Sequence, residues 1–275
     1  MLIQRIIGAA IILAVVGLPL LYGGLSFMFL VAVIASAAVV ELARMFAHLG
    51  YRPLTIASVG LTAVIVLDAY FQMNLVGWGV TVGVLAPMVW LVFTSDDLDR
   101  GVIEWAVTLV GPFYLGWTLS HFILLRQSPS GLVWAGVALL GTWAADIGAY
   151  FAGRALGRHK LYPRVSPGKT WEGVGGGVLL SVVVLAAFLF LVQQYALVSR
   201  PVGALPLWVH GVILGVLITG AAVIGDLSES FLKRGAGVKD AGRVIPGHGG
   251  LLDRLDSLVF SAPLVYYYVV WVVVL

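Results

Sequence analysis

The chain has 275 residues, of which 61% are hydrophobic and 11% charged, with a formal net charge of +3. Soluble proteins carry roughly 25% charged residues, so a water-soluble fold is not expected, and so small a positive excess gives no footing for nucleic-acid binding. Cysteine is absent, which removes disulfides, thiolate catalysis and thiolate metal sites and leaves carboxylate, imidazole and hydroxyl chemistry.

The unit of organisation is therefore the apolar run of ~20 residues that crosses ~30 Å of hydrocarbon. Hydropathy predicts nine such helices, over 4–22, 25–47, 53–71, 74–94, 102–125, 131–153, 172–198, 206–231 and 254–274. The expected fold class is all-α: a polytopic integral membrane helix bundle of about nine transmembrane helices. About five helices fall in an N-terminal part (1–130) and about four in a C-terminal catalytic part (131–275) with cytoplasmic loops. The basic start before the first run is read as the flank of an uncleaved helix, because the run is long and further spans follow. Placing the N-terminus in the cytoplasm gathers fourteen of the sixteen Lys and Arg residues inside and leaves Arg126 and Arg200 outside, as the positive-inside rule requires. The C-terminus then lies on the opposite side. Small residues at Ala145, Ala149, Gly153 and Gly157 recur every fourth position, as do Gly211 and Gly215, and predict close helix contacts. Asp96, Asp97 and Asp99 read as solvated loop acids. His48, His121, His159 and His210 read as structural or interfacial.

Two segments on the predicted inner side interrupt this pattern. The first runs from Thr142 to Gly173. Asp146 lies well inside an apolar span, where an ionised carboxylate needs a partner; a cation or a neighbouring helix would serve. Ser166-Pro167-Gly168-Lys169-Thr170 offers hydroxyls, an ammonium and free N–H groups at the start of the seventh predicted helix, a pattern suited to an anion.

The second segment is denser. Asp226, Ser230 and Lys233 are spaced i, i+4, i+7, so carboxylate, hydroxyl and ammonium share one helical face. Asp253 and Asp256 are i, i+3 at the start of the last helix. Two helix ends can thus bring three carboxylates to one point. Carboxylates without cysteine or a paired-histidine motif favour a hard, oxygen-seeking cation such as Mg²⁺. Lys233, Arg234, Lys239, Arg243 and Arg254 supply the positive charge that phosphoryl-type chemistry uses. His248, in the turn Pro246-Gly247-His248-Gly249-Gly250, is open to reading as a phosphate donor, a proton handler or a turn residue.

Ser230-Phe231-Leu232-Lys233-Arg234, then Lys239-Asp240, His248-Gly249-Gly250 and Asp253-Arg254-Leu255-Asp256 together resemble the signature of the phosphatidate cytidylyltransferase (CDP-diacylglycerol synthase) family. The stretch Trp143–Gly173 is similar to the family too, and residues 1–130 match only in hydropathy. The resemblance implies CMP transfer from CTP to phosphatidic acid, with Mg²⁺ as cofactor and K⁺ as a companion cation. It also implies a homodimer among membrane lipids, in a bacterial inner membrane, with no nucleic-acid partner. On this basis Asp226, Asp253 and Asp256 are expected to hold the metal, with Asp146 as a further candidate, and Lys233, Lys239 and Asp240 to join them in catalysis. Ser166, Lys169, Thr170, Ser230, Arg234, His248, Gly249 and Arg254 are expected to bind substrate. Two rival readings are a CTP-dependent lipid-alcohol kinase, which would release CDP, and an ion or phosphate transporter using Asp146 and Asp226. The charge-poor outer ends offer no through-path for transport.

Overall fold

The computed structural model describes residues 15–198, 205–242 and 250–273. Most of the first predicted span, Arg200, Arg243, His248 and Gly249 lie outside the described residues. After a helical stretch at 15–22 come α1 (Gly24–Ala47), α2 (Thr55–Phe71), α3 (Val76–Thr94), α4 (Leu98–Gly111), a π-helical turn (Pro112–Trp117) and α5 (Thr118–Gln127). Next are α6 (Gly131–Leu156), strands β1 (Lys160–Tyr162) and β2 (Ser166–Thr170), α7 (Trp171–Gln194), α8 (Leu207–Gly235) and α9 (Leu252–Tyr268), which runs into a second π-helical turn (Val269–Val273).

Seven of the described helical segments are long and apolar enough to cross a membrane, α4 and α5 forming one 30-residue helix through the π-turn. Helix α2 is apolar but shorter, at 17 residues. The all-α membrane bundle is thus the fold found, and the protein is an integral membrane protein. Large apolar side chains such as Ile56 (91% exposed) and Phe93 (82%) point outward, as suits a lipid-facing surface.

Hydrogen bonds tie the helix ends into two rims. At one rim Arg126 donates to the carbonyls of Leu20 (2.8 Å) and Leu21 (3.0 Å), supplying donors to a helix end that has none of its own. Its guanidinium fills the space beside Gly23, where an added Cβ would fall 2.9 Å from Arg126 Cζ. At the same rim Gln127 donates to the Tyr70 carbonyl and the Leu207 amide to Gln193 Oε1. At the other rim the Arg52 amide donates to Glu104 Oε1 (2.7 Å) and the Leu252 amide to Glu41 Oε2 (2.8 Å). Asp97 caps α4, accepting from the Arg100 amide at 3.2 Å, which gives one member of the predicted acidic loop a local structural task.

Lipid gives helices little hydrophobic reason to associate, so close packing has to hold them. The predicted small-residue ridges do this. Methyls on Gly177 and Gly173 of α7 would fall 2.9 and 3.0 Å from the carbonyl oxygens of Ala145 and Ala149 on α6, and Gly148, outside the predicted ridge, lies against the Gly176 carbonyl. On α8, a methyl on Gly211 would reach within 2.6 Å of the Leu185 carbonyl oxygen, and one on Gly215 within 2.6 Å of Val182 Cα. Helices α6, α7, α8 and α9 are in this way drawn into one tight block.

The β1–β2 hairpin departs from expectation. Residues 166–170 form a strand paired antiparallel with β1, Lys160 opposite Thr170 and Tyr162 opposite Ser166, rather than a loop of free N–H groups. The physical reason is that Thr170 stops the strand by capping α7, its Oγ1 accepting from the Gly173 amide at 3.1 Å. Glu172, in the first turn of α7, accepts from the Arg158 and His159 amides and from His159 Nδ1 (2.6 Å), pinning the start of the hairpin to the helix.

Candidate active site

A cavity of about 560 Å³ opens where α6, the end of β2, α7, α8 and α9 meet. Asp146, Tyr150 and Arg154 come from α6, Gly168, Lys169 and Thr170 from the hairpin, Asp226 from α8, and Asp253, Asp256 and Ser257 from α9. Each element delivers its polar group for a local reason. Gly225 lies directly against the Asp256 carbonyl, leaving no room for a Cβ, so α8 and α9 approach closely just where each carries a carboxylate. The Thr170 cap and the Glu172 clamp fix the strand that presents Lys169.

Within this cavity Lys169 Nζ sits 2.5 Å from Asp226 Oδ2; Ser230 and Lys233 lie outside the lining, Ser230 with its Oγ 3.5 Å from Asp226 Oδ1. Lys233 Nζ bridges two helices, 2.6 Å from Glu229 Oε2 on its own helix and 2.6 Å from Asp253 Oδ1 on α9. The other oxygen of Asp253 accepts from the amides of Gly250 (2.8 Å) and Ala241 (3.2 Å). Asp256 Oδ1 accepts from the Ser257 amide at 2.7 Å. The carboxylates of Asp226, Glu229 and Asp256 each place an oxygen within 4.8 Å of the others.

The expected carboxylate trio is therefore rearranged. Asp226 and Asp256 converge as expected and Asp146 lines the same cavity. Asp253 also faces the cavity, but both its oxygens already meet donors, and Glu229 takes the third place in the tight cluster. Sequence reading passed over Glu229, although its i, i+3 relation to Asp226 and i, i+4 relation to Lys233 put it on the same helical face. It is only 1% exposed, and its Oε1 has no hydrogen-bond partner among the described residues. Tyr150 and Arg154 were also missed. Arg154 Nη1 donates to the Tyr150 hydroxyl at 2.8 Å, one turn apart on the cavity-lining face of α6.

Of the expected substrate residues, Lys169 and Thr170 line the cavity, but the Thr170 hydroxyl is engaged in capping α7. Ser166 sits farther along β2, half-buried and outside the lining. Arg234, Lys239, Asp240 and Arg254 are exposed and outside the lining as well. The four histidines read as structural behave so where their contacts are seen: His121 meets the Trp117 carbonyl (2.8 Å), His210 the Tyr268 hydroxyl (2.8 Å) and His159 the Glu172 carboxylate (2.6 Å).

Chemically, the cavity combines clustered oxygen donors with ammonium and guanidinium groups at the edge of an apolar bundle, an arrangement able to hold a cation together with phosphate oxygens. The sequence model of the cytidylyltransferase family matches residues 3–272. The chain is 34% identical over 299 residues to the phosphatidate cytidylyltransferase of Synechocystis sp., across 97% of this chain and 96% of that one. It is 37% identical over 275 residues to the phosphatidate cytidylyltransferase of Pseudomonas aeruginosa, across 96% and 95% of the two chains. With that of Haemophilus influenzae it shares 46% identity over 126 residues, 46% of this chain and 42% of the relative.

Proposed function

The chain belongs to the cytidylyltransferase family, and on that premise we propose that it transfers CMP from CTP to phosphatidic acid, releasing pyrophosphate and leaving CDP-diacylglycerol in the bilayer. The observation that carries this reading is the convergence of the Asp226, Glu229 and Asp256 carboxylates within 4.8 Å, on a helix junction whose cavity also receives Lys169 and Arg154.

The donor set fits Mg²⁺. It is all oxygen, its like charges repel one another unless a cation intervenes, and Glu229 Oε1 is buried without a hydrogen-bond partner among the described residues. Asp226, Glu229 and Asp256 would hold the ion, with Asp146 across the cavity. Bound there, Mg²⁺ supplies charge neutralisation for the triphosphate and polarises its phosphoryl oxygens. Asp253 has a different task in this reading: it holds Lys233 in place and fastens the backbone at Gly250 and Ala241.

The protein's own residues orient two polyanions that would otherwise repel. Lys169, resting on Asp226, can pass its contact to a phosphate oxygen, and Arg154, at the cavity wall, offers a planar fork for the polyphosphate. Arg234 and Lys239, exposed beyond the cavity, suit the approach of nucleotide from water. The lipid phosphate monoester has a second pKa of roughly 6, so its attacking oxygen is largely ionised at neutral pH and needs no general base. That oxygen attacks the α-phosphorus in line. The bond between the α-phosphorus and the bridging oxygen to the β-phosphate breaks, and pyrophosphate leaves with the electron pair. Charge placement, with the basic residues of 44–52, 154–169 and 233–239 and Arg254 at the helix ends nearest the cavity, supports a cytoplasmic orientation of the site.

The test is to supply detergent-purified protein with CTP, phosphatidic acid and Mg²⁺ and to quantify pyrophosphate, CDP and CDP-diacylglycerol. Pyrophosphate and CDP-diacylglycerol should appear in equal amounts and vanish with EDTA. Asp256→Asn should lower the rate by about 10²–10³-fold, the scale of losing one preorganised electrostatic group. Release of CDP instead of pyrophosphate would overturn the assignment in favour of a lipid kinase.

A further inference from the structure

A second cavity, of about 580 Å³, lies on the side of α8 turned away from the first. Its walls are mainly apolar: Ile224, Leu227 and Phe231 from α8, Phe260 from α9 and the ring of Tyr114 from the π-turn. The Ser228 hydroxyl at its edge is already bonded to the Ile224 carbonyl at 2.8 Å. Ile224 and Phe231 are 54% and 64% exposed, so the cleft opens sideways, toward the hydrocarbon of a bilayer. The two cavities share no lining residue but are neighbours across the α8–α9 contact, where Asp256 and Phe260 both lie against Gly225. Phe260 is one helical turn beyond Asp256, and Tyr114 packs edge-on to Phe260 with centroids 6.4 Å apart.

Tyr114 has an unusual setting. It stands on a π-helical turn opened by Pro112, a distortion that shifts the register of the side chains that follow and is frequent at functional sites. Its hydroxyl is buried, has no hydrogen-bond partner among the described residues, and lies within the electrostatic reach of Asp256 and Glu229. A buried tyrosine hydroxyl normally finds a partner. Here the ring faces the lateral cleft and the hydroxyl belongs to the carboxylate end.

We propose that Tyr114 is a positioning residue for the lipid substrate: its hydroxyl donates to an oxygen at the headgroup end of the lipid phosphate, while its ring and the cleft beside it hold an acyl chain. The inference rests on the function proposed above and extends it to the site of the lipid. The adjacency of the cleft to the carboxylate site argues for the occupant. A molecule with an anionic phosphate at the carboxylate–lysine site and its chains still in the bilayer passes Tyr114 at its polar–apolar junction, where a hydroxyl donor is wanted and neither a charged nor a purely apolar group would serve.

Steady-state kinetics in mixed micelles test this. Tyr114→Phe keeps the ring and deletes only the unpartnered hydroxyl, so the thermal midpoint of the unliganded protein should not fall. The KM for phosphatidic acid should rise about five- to tenfold, the scale of one net hydrogen bond, while the KM for CTP stays within twofold. Leu227→Trp, which fills the cleft, should raise the KM for a long-chain lipid phosphate and leave that for a dihexanoyl lipid phosphate unchanged. If Tyr114→Phe leaves both KM values unchanged, or raises that for CTP alone, or if Leu227→Trp affects short and long chains alike, the proposal is overturned while the activity stands. If the wild-type protein makes no CDP-diacylglycerol, the parent reading falls and takes this one with it.

Discussion

Helices α1–α5 and helices α6–α9 are both apolar enough for a membrane and both answer acids with backbone amides, yet only the second group gathers its acids into a cluster. In the N-terminal helices each of three carboxylates ends on a backbone amide: Glu104 on Arg52, Asp68 on Leu75 (2.6 Å) and Glu41 on Leu252. In the C-terminal helices the carboxylates of Asp226, Glu229 and Asp256 face one another, with Lys169 and Lys233 alongside. A lone acid that accepts from a backbone N–H works as a fastener between elements, although Glu41 keeps its second oxygen buried without a hydrogen-bond partner among the described residues. Acids answered by acids store repulsion that a cation and its ligands can relieve, which is the arrangement a polyanion-handling enzyme requires.

The comparison is most directly broken at Lys233, which belongs to both categories. Lys233→Met leaves Glu229, 1% exposed, and Asp253 without their shared cation; removing one partner of a buried ion pair costs about 3–5 kcal/mol. The thermal midpoint in detergent and the turnover should therefore collapse together, and an unchanged midpoint would mean the bridge does not hold α8 to α9. Gly225→Val separates the two effects. A side chain there meets the Asp256 carbonyl and pushes the two helices apart, so turnover should fall roughly 100-fold, as for about 1 Å of misplacement, with a smaller loss of stability. Retained activity in that variant would show that the carboxylates need not be so close. The smallest effect is expected at the fastener Glu41. Glu41→Leu should cost about 1–2 kcal/mol of stability, the value of a helix cap, and leave both KM values within about twofold; Glu41→Gln, whose carbonyl can still accept from Leu252, should recover most of the loss. A large rise in KM for Glu41→Leu would mean that the N-terminal helices shape the site and do not merely brace it.

Much of this arrangement was legible in the sequence. Apolar run length gave the bundle, and four-residue glycine and alanine ridges gave close packing on α6 and α8, because both follow from periodicity alone, while the partner helix, α7 in both cases, did not. The i, i+4, i+7 pattern brought Asp226, Ser230 and Lys233 to one face, and Asp226 does meet Asp256 across the helix junction. Other features depend on how two elements meet, which no local pattern records. Glu229, to which the sequence assigned no role, stands where Asp253 was expected, because Asp253 is held by Lys233 and by the amides of Gly250 and Ala241. The pairing of β1 with β2 leaves no mark in the sequence, since a three-residue strand has no periodicity to detect and only the Thr170 cap betrays where the hairpin stops. Tyr114 carried no signal at all: a π-turn changes which way a side chain faces without changing the sequence pattern around it.

The Glu41 contact bears on how the protein is made. Helix α9 begins with backbone amides that its own sequence does not cap, and one of them is satisfied by a carboxylate from α1, 211 residues earlier in the chain. A ribosome delivers α1 to the bilayer long before α9 exists, so the acceptor waits in place for the donor. Helix α9 is docked by a helix made much earlier, and Asp253 and Asp256 reach the cavity only when that long loop of chain has closed. Assembly of the carboxylate corner thereby depends on α1 as well as on the four helices that form its walls.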